Sequence, residues 1–90
     1  MHWEEISFII SGKLRFTILL SLKKSPKTPS ELKVELGTQI SNISKTLREL
    51  ESRGLIRCLT PERRKNKFYS ITERGLAILE EIKNLSDKGL

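Results

Sequence analysis

Ninety residues, 37% hydrophobic and 31% charged, suffice for one small folded core and leave no room for a second. Seventeen Lys and Arg against eleven Asp and Glu give a net charge of +6 and a pI near 9.8, a balance that suggests a polyanionic partner. One cysteine, Cys58, and one histidine, His2, exclude an intramolecular disulfide and a Cys/His metal cluster.

Residues 2–11 carry Trp3, Ile6, Phe8, Ile9 and Ile10 at a spacing that predicts a short helix, broken by Ser11-Gly12. Glu4 and Glu5 stand where a secretory leader would be cationic. Residues 13–24 continue with Leu14, Phe16, Ile18, Leu19, Leu20 and Leu22, dense enough for a nearly buried helix but too short for a bilayer. Lys23-Lys24 and Pro26 close it. Thr28-Pro29-Ser30-Glu31 supplies a cap hydroxyl, a proline at the first helical position and a returning glutamate, so a helix is expected through Leu36 to Gly37. The next helix starts at Thr38 or Gln39 and runs to about Arg53, with Gly54 as its left-handed end. Strands are predicted at 56–59 and 68–71, and a last helix at 73–86 capped by Thr72.

The predicted fold class is mainly α with a small β-hairpin, in the order α-α-α-α-β-β-α: a winged helix-turn-helix. Residues 1–90 form a single domain, with a core at 13–72 and flanking helices at 2–11 and 73–86. No separate effector domain is expected.

At about 100° per residue, Ile40, Ile43, Leu47 and Leu50 fall within one sector of roughly 80° on the 39–53 helix. Ser41, Lys45, Arg48 and Ser52 lie opposite, with Asn42 and Glu49 flanking. Such a helix buries one side and offers a polar, cationic strip to the major groove. Asn42 has the amide that pairs with adenine, and Lys45 and Arg48 reach guanine or phosphate. The hairpin tip at 60–67 crowds Arg63, Arg64, Lys65 and Lys67 together, a self-repulsion that an anion would relieve. This wing is expected on the backbone or in the minor groove.

The run from Leu36 to Ile56, with its hydroxyl residues, Lys45, Leu47, Leu50 and Gly54-Leu55-Ile56, resembles the recognition segment of ArsR/MarR-type prokaryotic regulators. Phe68 to Gly75 is similar to their second wing strand and following helix start. The resemblance covers roughly residues 13–85. It implies that Ser41, Asn42, Lys45 and Thr46 face the major groove and that Ser44 lies against the duplex or the neighbouring helix; Gln39 and Arg48 join them as candidate DNA contacts of the same helix. It also implies that Arg63, Arg64 and Lys65 form the wing tip, with Lys67 a further candidate contact beside them, and that Thr28 and Ser30 meet a backbone phosphate at the supporting helix start. Gln39 and Ile40 depart from the pattern, which often has serine and then a polar residue; an apolar Ile40 narrows the reading strip. The metal-sensor branch needs Cys or His ligands that this chain lacks.

Such regulators commonly dimerise through their terminal helices, which points to Trp3, Ile6, Phe8, Ile10, Leu76, Leu79 and Ile82, with Leu85 at the edge. Cys58 on the first wing strand is expected as a small core residue. The function expected is a sequence-specific, double-stranded-DNA-binding transcriptional regulator, homodimeric and cytoplasmic. Neither a cofactor nor a membrane is implied; the small-molecule effector is unknown, and any such ligand would bind at the dimer interface or not at all. Alternatives are a winged-helix module for protein or RNA contact and a non-specific architectural DNA binder. An enzyme is not expected, because a single histidine and carboxylates on helix faces make no catalytic constellation.

Overall fold

The computed structural model describes residues 3–87. Helices α1 (Trp3–Ile10), α2 (Lys13–Lys24), α3 (Pro29–Leu36) and α4 (Ile40–Ser52) precede strands β1 (Ile56–Cys58) and β2 (Tyr69–Ile71), and α5 (Glu73–Asp87) closes the chain. This is the order expected of a winged helix-turn-helix. His2, placed in the first helix from the sequence, lies outside the described residues.

The local signals explain where the elements begin and end. Thr28 Oγ1 accepts from the Glu31 amide at 3.2 Å, and the Glu31 carboxylate accepts from the Thr28 amide at 2.9 Å, so both donors at the start of α3 are satisfied. Gly37 ends α3 at φ 62°, a left-handed conformation that a side chain would resist, and its amide returns to the Lys33 carbonyl at 2.9 Å. That sharp stop lets α4 begin three residues later at an angle to α3. Gln39 caps α4 through its backbone alone, and the helix ends at Ser52 because Arg53 has already left helical geometry at ψ 3°.

β1 and β2 are antiparallel, pairing Ile56 with Ile71, Arg57 with Ser70 and Cys58 with Tyr69. Each strand is one residue shorter than the sequence suggests, although the Leu59 amide still donates to the Phe68 carbonyl at 2.8 Å. On its other edge Tyr69 exchanges two backbone hydrogen bonds with Lys27, at 3.1 and 2.9 Å. This ties the hairpin to the segment between α2 and α3. Cys58 is half-buried. Burial, reinforced by Glu51 and Cys58, raises the Tyr69 hydroxyl above its ordinary pKa.

The core gathers Ile6 and Ile9 from α1, Ile18, Leu19 and Leu22 from α2, Leu32 from α3, and Ile43, Leu47 and Leu50 from α4. Leu55, Ile56, Ile78, Leu79 and Ile82 complete it. The start of α5 is fixed closely against the end of α4. Thr72 Oγ1 donates to the Gly54 carbonyl at 2.7 Å and accepts from the Gly75 amide at 3.1 Å, while the Thr72 amide donates to the Leu55 carbonyl at 3.1 Å. The approach demands glycine: a Cβ on Gly75 would lie 2.3 Å from the Leu55 carbonyl oxygen. An Arg74–Glu5 ion pair joins α5 to α1.

The fold corrects two groups of expectations. Ile40, predicted on the buried stripe, is 42% exposed, while Thr46 is 6% exposed and takes a core position beside Ile43, Leu47 and Leu50. The reason is that α4 packs on α2 as well as on α3, rotating the buried sector toward Thr46, and Ile40 projects beyond it at the first residue of the helix. Ile6, Leu79 and Ile82, expected at a dimer surface, are buried within the chain's own core because α1 lies across α2 and α5.

Candidate nucleic-acid interface

The outward side of α4 presents Ser41, Asn42, Lys45 and Arg48, all exposed, with Gln39 exposed just before the helix and Ser44 half-buried. Ile43, Thr46, Leu47 and Leu50 anchor the opposite side, so this strip stands on a rigid base. Thr46 is therefore removed from the residues expected to face a duplex. Thr28 is likewise 7% exposed and its hydroxyl is occupied by the capping bond, whereas Ser30 is exposed at the start of α3.

The wing rises from β1 and β2. The Phe68 amide donates to Thr60 Oγ1 at 3.0 Å, closing the base of the loop. Asn66 turns the tip at φ 56°, and Arg63 Nη1 donates to the Asn66 carbonyl at 3.4 Å, its guanidinium 5.9 Å from the Phe68 ring centre. Asparagine tolerates this left-handed geometry better than most residues. Arg63, Arg64 and Lys65 are exposed and Lys67 is half-buried. Among the described residues, no salt bridge engages these four cations.

A cleft of about 320 Å³ separates the start of α2 from α4, lined by Lys13, Arg15, Asn42, Lys45, Thr46 and Glu49 among others. Arg15 holds Glu49 through Nε at 3.3 Å, which neutralises the acid next to the strip, and Arg15 also donates to the Phe8 carbonyl at 2.9 Å. The guanidinium carbons of Arg15 and Arg53 each lie 3.9 Å from the Phe8 ring centre, so the ring is clamped on both faces. Phe8 thus locks α1 to α2 and to the end of α4. Lys13 enlarges the positive surface around Lys45, and sequence reasoning passed over it. Its signal was a lysine at the positive end of a helix, where the backbone dipole disfavours it.

Trp3 and Ile10, each 58% exposed, and the exposed Leu76 are the members of the expected dimer surface left on the outside. Among the described residues, no group of His, Cys, Asp and Glu is arranged to hold a metal ion, and no helix is long and apolar enough to cross a membrane.

The family model described as the HVO_A0261 N-terminal domain matches residues 3–88. No curated protein matches the chain. Among solved structures, the transcriptional regulator Tm0710 from Thermotoga maritima is similar at 27% identity and a TM-score of 0.72, over 96% of this chain and 71% of that one. RV1404 from Mycobacterium tuberculosis shares the fold at 21% identity and a TM-score of 0.71, over 97% of this chain and 67% of that one.

Proposed function

Since the chain belongs to the HVO_A0261 N-terminal domain family, we propose that it is a sequence-specific, double-stranded-DNA-binding transcriptional regulator of the ArsR/MarR prokaryotic type. It binds as a homodimer in the cytoplasm. α4 enters the major groove with Gln39, Ser41, Asn42, Ser44, Lys45 and Arg48, and the wing sets Arg63, Arg64, Lys65 and Lys67 against phosphate or the minor groove. Ser30 meets phosphate at the start of α3. Trp3, Ile10 and Leu76 form the apolar part of the contact between copies.

The observation that carries the reading is the pairing of an exposed polar strip on α4 with wing cations that no carboxylate engages among the described residues. The strip offers base-edge chemistry and the wing offers phosphate chemistry, the two components that a specific DNA complex needs. The 27%-identical Thermotoga maritima protein is described as a transcriptional regulator, which supports the same function here.

The test is duplex binding as a function of salt. Lys45, Arg48, Arg63, Arg64, Lys65 and Lys67 in each of two copies give a slope of log affinity on log salt of up to about −11. Lys45→Ala or Arg64→Ala removes one cation per copy and flattens the slope by about 2. Two chains per duplex are expected. Absent or salt-indifferent binding to mixed-sequence duplex refutes the proposal.

A further inference from the structure

We infer that the leading end of α4 reads A·T base pairs, with Gln39 and Asn42 taking adenine edges and Ile40 taking the thymine methyl group. The inference rests on the major-groove reading above and deepens it.

The chemistry of the leading end is narrow. From Leu36 through Ser44 no side chain is ionisable, and the first charge on α4 is Lys45. Guanine is read in the major groove chiefly by Arg or Lys on its O6 and N7, and cytosine by an Asp or Glu that accepts from its amino group. Neither kind of group is present at this end. Glu49, two turns further on, is held by Arg15. What the leading end does expose is two carboxamides, Gln39 and Asn42, one hydroxyl, Ser41, and the aliphatic Ile40. A carboxamide gives one donor and one acceptor on a single plane, which matches the adenine N6 amino group and N7.

Ile40 then acquires a role. A lone exposed aliphatic is ordinary on any protein surface. Ile40 differs in its setting, as the first residue of α4 between Gln39 and Ser41 and on the end that a helix-turn-helix protein directs at base edges. Thymine is the one base that presents a methyl group in the major groove. Amide and aliphatic together match the two strands of the same kind of pair, whereas Lys45 and Arg48 lie further along and are free for phosphate or flanking bases. The departure of Ile40 from the ArsR/MarR-type pattern thus becomes a specificity element.

Selection of bound duplexes from a random pool, followed by affinity measurements with thymine replaced by uracil, tests the inference. Expected are A·T pairs at the centre of each half-site and a loss of about fourfold in affinity when uracil removes a contacted methyl. Ile40→Ala, at an exposed position, should bind thymine and uracil duplexes equally. Enrichment of G·C at the half-site centres overturns the inference, as does equal affinity of the native protein for the two duplexes, while both leave the DNA-binding reading intact. Failure to select or bind any duplex overturns that reading and this inference together.

Discussion

Gly75→Ala should destabilise the fold, although the change replaces a poor helix former by the best one within α5. An added Cβ would meet the Leu55 carbonyl oxygen at 2.3 Å and Ile71 Cγ1 at 2.6 Å, both inside the 3.0 Å that such contacts essentially never reach. Neither neighbour yields easily. The Leu55 carbonyl accepts from the Thr72 amide, and Ile71 is paired to Ile56 in the sheet. Relief requires α5 to retreat by roughly 1 Å, which strains the Thr72 hydroxyl bridge between Gly54 and Gly75. Overpacking of this kind costs about 1–3 kcal/mol. Weakening the part-buried Gly75–Thr72 hydrogen bond adds about 1 kcal/mol, and the helix propensity of alanine returns about 1 kcal/mol. The net expectation is a loss of about 2 kcal/mol from a total near 5–13 kcal/mol for a chain of this length. The midpoint of thermal unfolding should fall by about 8–16 °C. Urea unfolding of both proteins at one fixed concentration measures the effect, with an unchanged slope expected. A variant as stable as the native chain, or more stable by about 1 kcal/mol, would mean that propensity alone governs the site and would refute the close contact.

Thr28→Ala should cost about 1 kcal/mol in urea unfolding through loss of the α3 cap, and Thr28→Ser should restore most of it. DNA affinity should be unchanged by the serine variant, since the Thr28 hydroxyl is used internally. Tyr69 titrates above the ordinary tyrosine value in the fold, so the neutral phenol is the form that folding favours. Its contribution to stability is complete below about pH 10 and is lost as pH rises through the folded-state value. With one tyrosine in the chain, tyrosinate absorbance reads this directly, and Tyr69→Phe should abolish that part of the alkaline loss.

Much of the fold was legible because its signals are local. Thr28 to Glu31, Gly37, Gly54 and Thr72 each specify a helix end through bonds spanning three or four residues, and the structure uses all of them as such. The short wing strands were found from the apolar residues on either side of a cationic turn, and their true ends were misjudged by one residue, where pairing depends on the partner strand. The candidate interface was legible as residue types in a helical period, but the period alone could not orient the helix. The period assigned Ile40 to the core and the resemblance assigned Thr46 to the duplex, and packing left Ile40 exposed and Thr46 buried.

Sequence by itself determined the order of elements, the caps, the concentration of cations at 63–67 and the uncharged run from Leu36 to Ser44, because each depends on neighbours along the chain. Tertiary structure alone decided that Ile6, Leu79 and Ile82 belong to one chain's core, since that depends on how α1 crosses α2 and α5. It decided that Gly75 must lack a side chain, because the obstructing oxygen comes from Leu55, twenty residues earlier in the chain. It also brought Arg15 to Glu49 and Lys13 beside Lys45, across sequence separations over which no local period has any hold.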